Sequence, residues 1–385
     1  MTPSSELERE CFPTTDGEIA VINLASARRR SWSMFFQNPC RDGAAETVLE
    51  HERLTAQFVG DVSALDRVET LAMRLAEADA GSARTALVQA QLASMVHRFA
   101  EARQRLAESA RLGAPSAEIH RLTLNIDQAD WSNLDSVLDQ RREIAAKSGR
   151  LDDLVALGAL LADLRDFTEA DSFYRQALEN YQGVSPFPVA RVCFQLGVLW
   201  GELVPEPQRL LAERWYRRAV DCLPSYTKAC VHLAEIYALS GRTSDAEAVL
   251  SSAIGSGDPE VRWRLADVMA SRGRSADAEA HMQAARRGFD ALLGRHLLAF
   301  ADHAAEFYAG SGKDRRRALE LARVNVANRP TLLALEQAHE IAVSAGDGAA
   351  ASEFLADARK RWSGIAAFQR SPLANPRAAV QGAAA

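Results

Sequence analysis

Residues 190–224 read ARVCFQLGVLWGELVPEPQRLLAERWYRRAVDCLP, and the spacing inside this stretch decides the fold. Cys193, Leu196, Gly197 and Trp200 recur at helical spacing on one face, and Ala212, Tyr216 and Ala219 do so again on a second. Pro224 ends the second helix, because its ring nitrogen cannot donate the next helical hydrogen bond. The flanking segments repeat the pattern. Residues 151–183 carry Leu154, Leu157, Gly158 and Leu161, then Ala170, Tyr174 and Ala177. Residues 227–258 carry Cys230, Leu233, Ala234 and Tyr237, then Gly241, Ala246, Leu250 and Ala253. A small residue in each first helix (Gly158, Gly197, Ala234) and another in each second helix (Ala170, Ala212, Ala246) lets two backbones approach. Large residues one turn away fill the space around that contact. Helices this short are marginal alone, so each pair is expected to bury its apolar face against the next.

Weaker copies extend both ways. Downstream are Leu265, Ala266, Met269, Ala278 and Ala285, then Ala304, Ala305, Tyr308, Ala318 and Pro330, then Leu335, Ala342, Gly346, Ala351 and Ala358. Upstream are Ala86, Ala90, Ala93, Phe99, Ala102 and Leu106, then Leu122, Trp131, Leu134 and Leu138. The pattern W-x-x-L-G-x-x-Y, A-x-x-x-F and a closing proline, with a period of roughly 32–36 residues, resembles the tetratricopeptide repeat family. That resemblance implies an all-α fold, a right-handed superhelical solenoid of antiparallel helix pairs, and a role in holding another polypeptide. The organisation expected is an N-terminal aromatic segment over 1–43, a solenoid of eight to nine hairpins over 44–362, clearest across 151–285, and a flexible tail over 363–385. Two departures stand out. Extra residues at Pro205-Glu206-Pro207 predict a longer loop, and the cluster Ile19, Val21, Ile22, Leu24, Trp32, Met34, Phe35 and Phe36 lies before the repeat. Such a cluster must be buried, either as a cap on the solenoid end, on a partner, or in the protein's own groove.

Composition narrows the classes. The chain is 48% hydrophobic and 25% charged, which suits a globular protein, and no apolar run nears the ~20 residues that span a bilayer. A net charge of −6 argues against general nucleic-acid binding, which needs a basic face. The polar start Met1–Glu10 lacks the order of a secretory signal, so a cytoplasmic protein is expected. Cys11, Cys40, Cys193, Cys222 and Cys230 have no metal or redox spacing, and Cys193 and Cys230 sit at packing positions.

Expectations for the site follow from the repeat. First helices should line the concave face, and their non-packing positions run through Val155, Ala159, Phe194, Val198, Glu202, His232, Glu235, Trp263, Asp267, Asp302, Glu306, Glu336 and Glu340. This face reads as apolar at one end and acidic at the other, with Lys228 and Arg264 as counterweights. It would suit a basic amphipathic peptide, with Phe194 and Trp263 as anchors; the plainer alternative is a solvated acidic face. No asparagine stands at the matching first-helix positions, which argues against the carboxylate clamp of chaperone-binding members of the family. His296, His303 and Glu306 could share a helix face, and Cys230, His232 and Glu235 form a second compact set, but neither has a recognised metal spacing. No phosphate-binding, dinucleotide or nucleophile-elbow motif is present, so no cofactor, metal or catalytic role is expected. Open solenoid ends leave self-association open, and a ligand-responsive sensor or an enzyme's accessory subunit stands as the alternative role.

Overall fold

The computed structural model describes residues 14–374; residues 1–13, which hold the Met1–Glu10 start and Cys11, and residues 375–385 lie outside the described residues. The described chain is nineteen α-helices and one π-helical turn. A long helix, α1 (Gly17–Gln37), leads. Pairs then follow: α2 (Ala44–Val59) with α3 (Ser63–Ala78), α4 (Ala83–Met95) with α5 (Phe99–Arg111), and α6 (Ser116–Asp130) with α7 (Leu134–Ser148). Next come α8 (Leu151–Asp163) with α9 (Phe167–Glu179), α10 (Pro186–Val198) with α11 (Arg209–Cys222), and α12 (Thr227–Leu239) with α13 (Thr243–Ser252). α14 (Pro259–Ser271) packs on the first part of α15 (Ser275–Ala309), whose second part packs on α16 (Arg315–Asn328). α17 (Leu332–Ser344) with α18 (Gly348–Trp362) and the short α19 (Ala366–Gln369) complete the array.

Local chemistry sets the boundaries. The Asp16, Asp166, Asp258, Asp314 and Asp347 carboxylates each accept from a backbone N–H of the following turn and start a helix. Turns inside the pairs need a left-handed residue, supplied as glycine at Gly241, Gly273 and Gly346, but as His97 (φ 57°) and Arg165 (φ 60°) in two others. The packing rule read from the sequence holds in atomic detail. A methyl group on Gly197 would lie 2.4 Å from the Tyr216 ring, and one on Gly158 would lie 2.9 Å from that of Tyr174. The ring of each second helix therefore sits directly on the glycine of the first. Cys193 and Cys230 are fully buried free thiols, and burial pushes both up to about 12. The sequence expects a loop at Pro205-Glu206-Pro207, but α10 first widens into a π turn, Leu199–Leu203, that absorbs part of the extra length.

The array folds back on itself. Phe58 packs against Phe187 and Tyr226, with ring centroids 5.2 and 5.0 Å apart, and the Ser225 hydroxyl donates to the Phe58 carbonyl across 167 residues. Gly257 N–H donates to the Gly60 carbonyl, and Asn328 Nδ2 donates to the His97 carbonyl across 231 residues. Trp131 and Trp362 meet edge to face at 5.0 Å. Consequently Ala20, Leu24 and Phe58 belong to the same apolar cluster as α8–α14, and Trp131, Leu134 and Leu160 belong to that of α15–α19.

Both chain ends join the array. α1 packs against the array: a methyl group on Gly17 would lie 2.9 Å from Pro224, Thr15 N–H donates to the Val184 carbonyl, and Trp32 Nε1 donates to the fully buried Glu52 carboxylate at 2.6 Å. The apolar cluster, expected to be buried throughout, is divided by the helix period: Leu24 and Phe35 face inward, whereas Ile19, Ile22, Met34 and Phe36 are exposed. Arg67 adds an ion pair to Glu52 at 2.7 Å. The tail, expected to be flexible from residue 363, is packed as far as residue 374. Phe368 and Leu373 are 5% and 2% exposed, and the Arg370 guanidinium donates to the Arg165 carbonyl.

Candidate functional site

Polar residues on the first helices of successive pairs meet one another in a run of contacts. At its first end the π turn projects Glu202, which accepts the Tyr216 hydroxyl at 2.5 Å and His232 Nδ1 at 2.7 Å. Burial works against the charged imidazole, but Glu202 and Glu235 outweigh it and lift His232 to about 9. Burial likewise raises Glu202, and the positive His232 more than offsets it, holding that carboxylate below its ordinary range.

Arg264 is the next rung. Its guanidinium lies 2.5 Å from Glu235, 3.3 Å from Glu260 and 3.1 Å from Glu306, and stacks 3.6 Å above the Trp263 ring. One arginine on α14 thus bridges carboxylates of α12, α14 and α15. Glu260 also faces His303 at 3.7 Å. Further on, Arg329 pairs with Asp302 at 2.6 Å; burial raises this carboxyl, yet His303 and Arg329 prevail and bring it to about 2. Arg165, from the turn after α8, reaches Glu336 at 2.5 Å, and the Ser371 hydroxyl donates to the same carboxylate. Burial pushes Asp163 up to about 7 against the opposing charges of Arg329 and Arg165. Burial also holds His97 down at about 4.

The expected lining residues separate into two groups. Glu202, His232, Glu235, Asp302, Glu306 and Glu336 are brought into this charged ladder, and Glu340 lies exposed on α17. Asp267 is turned to the Ser311 hydroxyl at 2.8 Å. Phe194 and Trp263 are not open anchors: they are 7% and 3% exposed. Phe194 packs among Tyr216, Tyr226 and His232, and Trp263 against Phe289 and Phe307, while Val198 is half-buried against the same core as Phe194. Nor is the face a plain acidic strip, because Arg264, Arg329 and Arg165 pair with Glu235, Glu260, Glu306, Asp302 and Glu336. Spacing does not reveal Arg329 and Arg165, because they stand outside the helices: Arg329 caps the end of α16, and Arg165, in the turn after α8, reaches Glu336 of a distant pair. Glu260 escapes it too, although it sits on a first helix three residues before Trp263.

The two histidine sets, which lack a metal spacing in the sequence, are not brought together as sets. His303 faces Glu260 and Glu306 faces Arg264, whereas His296 turns away to Asp66; Cys230 is buried in the core, donating to the Pro224 carbonyl. The repeat length, the glycine–tyrosine seats and the order of helix pairs settle the type of fold. The chain is a tetratricopeptide-like helical solenoid.

No protein-family profile matches the chain, and no curated protein does so. Solved helical structures do resemble it. The APC/C hetero-tetramer Cut9-Hcn1 is 12% identical with a TM-score of 0.45, over 89% of this chain; the chain spans 65% of the length of that protein. PilF of Pseudomonas aeruginosa is 13% identical, with a TM-score of 0.33 over 79% of this chain and 96% of PilF. The human IFIT1 dimer with m7Gppp-AAAA is 16% identical, with a TM-score of 0.36 over 79% of this chain and 76% of that one. Among the described residues, no helix is long and apolar enough to cross a membrane.

Proposed function

We propose that the solenoid is a non-catalytic scaffold that holds a partner polypeptide along its inner face, with Glu306 and Glu340 meeting lysine or arginine side chains of that partner. The inner ladder carries this reading. Successive first helices supply it with charge, and most of its members are already tied to one another, so it is a rigid, pre-oriented polar surface that leaves two carboxylates open to solvent. Glu306 is half exposed and shares Arg264 with two other carboxylates, and Glu340 is exposed one pair further on. Exposed ion pairs are worth only ~0–1 kcal/mol, so Glu306 can exchange Arg264 for a partner's cation at small cost. Because Phe194 and Trp263 are enclosed, affinity rests on charge and backbone contacts, and binding should weaken as salt rises.

The test uses the full chain and fluorescent peptides of three kinds: basic amphipathic, neutral, and acidic. Basic peptides should bind best, and Glu306→Gln together with Glu340→Lys should weaken them about tenfold or more. Equal binding of all three kinds, or basic-peptide affinity untouched by the double substitution, would remove the reading.

A further inference from the structure

Outside the inner ladder, one cluster joins parts of the chain that no repeat places together. Asp66 and Glu69 lie one turn apart on α3, and His296 occupies the break in α15, where its backbone (φ −133°, ψ 51°) leaves the helix. That break aims the imidazole at α3 across 230 residues: Nε2 is 2.9 Å from Asp66 Oδ1. The His296 side chain is 1% exposed, and its Nδ1, which has no hydrogen-bond partner, stands 3.9 Å from Glu69 Oε1. One donor atom from each of the three residues lies within 4.8 Å of the other two.

A neutral imidazole that donates from Nε2 to Asp66 presents a bare nitrogen lone pair to the Glu69 carboxylate. Two acceptors at that separation repel unless something positive lies between them. A dication with bonds of about 2.0–2.2 Å fits such a gap after a shift of a few tenths of an ångström. Imidazole with a carboxylate is a donor set that suits first-row transition metals better than Mg²⁺, and a second carboxylate on the far ring N–H fixes the tautomer and raises the basicity of the ligating nitrogen. The carboxylates already have arginine neighbours, Arg98 at 3.0 Å from Glu69 and Arg295 against Asp66. Both arginines are more than a third exposed and can swing into solvent. We propose that His296 Nδ1 and Glu69 bind a first-row transition-metal dication, with Zn²⁺ as its representative, which clamps α3 onto the break in α15, while Asp66 holds the imidazole in place through its Nε2–H.

The alternative is that His296 carries a second proton and bridges the carboxylates as an imidazolium, and the two differ in what the protein takes up. Full-length protein stripped with EDTA and dialysed should take up one Zn²⁺ per chain in a titration against a chromogenic chelator. Its unfolding temperature should rise with Zn²⁺ and show no comparable rise with Mg²⁺ at the same concentration. Glu69→Gln and Asp66→Asn, both isosteric and partly exposed, should each weaken uptake at least tenfold while the far-ultraviolet circular dichroism stays helical. His303→Gln should leave uptake unchanged. Absence of stoichiometric uptake, uptake that survives both carboxamide variants, or loss of uptake in His303→Gln overturns the proposal.

Discussion

His232 shows how one residue converts its neighbours into a measurable property. Glu202 at 2.7 Å and Glu235 at 3.6 Å raise it to about 9, above an unfolded value near 6.5. A base whose folded value is raised adds stability that is complete below about pH 6.5 and is lost as pH climbs through about 9. The expected loss is on the order of 1–3 kcal/mol, since each tenfold gain in proton affinity is worth about 1.4 kcal/mol. Denaturant midpoints of the parent and His232→Gln, compared from pH 6 to 10, should converge at the alkaline end; parallel curves would show that the pair is not formed. Spacing alone places His232 on the inner face. Its charge state does not follow from spacing, which puts Glu202 and His232 on one face but not the 2.7 Å contact that the π turn brings about.

At the scale of the helix pair, the chain is legible to atomic detail. Spacing pairs the small residue of α10 with the large residue of α11, and the structure seats the Tyr216 ring on Gly197 with no room for a methyl group. Gly197→Ala must displace a ring that is 1% exposed and whose hydroxyl holds Glu202. Overpacking of this kind costs about 1–3 kcal/mol, and urea unfolding should show a loss in that range. The same substitution should also lower the alkaline limit at which His232 stays charged, because Glu202 loses its second partner; an unchanged midpoint would mean that the ring moves freely. Exposure is what spacing gets wrong within a pair. Counting from the packing stripe puts Phe194 and Trp263 in the groove, but an aromatic side chain beside a stripe can lean into it, and both do.

At the scale of the whole molecule, the decisive contacts lie between pairs far apart in sequence. Arg165 and Glu336 are 14% and 13% exposed and meet across 171 residues, next to Ser371 of the tail. Arg165 holds a left-handed backbone (φ 60°) at a turn position where Gly241, Gly273 and Gly346 supply glycine in other pairs. The side chain that reaches across therefore comes with backbone strain of about 1–2 kcal/mol. A double-mutant cycle with Arg165→Ala and Glu336→Gln should give a coupling of about 1–3 kcal/mol. Arg165→Gly should be roughly 1 kcal/mol less harmful than Arg165→Ala, since it loses the same contact but relieves the strain. Additive effects, or a glycine variant worse than the alanine one, would show that the array does not close there.

What this sequence determined by itself is the repeating unit: two short helices, a small residue facing a large one, and a polar or glycine turn. These are encoded within roughly 35 residues, where side-chain spacing and helix period are enough. What only the tertiary structure decided is which residues meet when the array returns on itself: Phe58 on Tyr226, Trp131 on Trp362, Arg165 on Glu336, His296 on Asp66. Those meetings depend on the summed small rotations of every pair between the partners, so a slight change in any one would move the far contact by a whole residue or more. Local pattern carries no record of that sum.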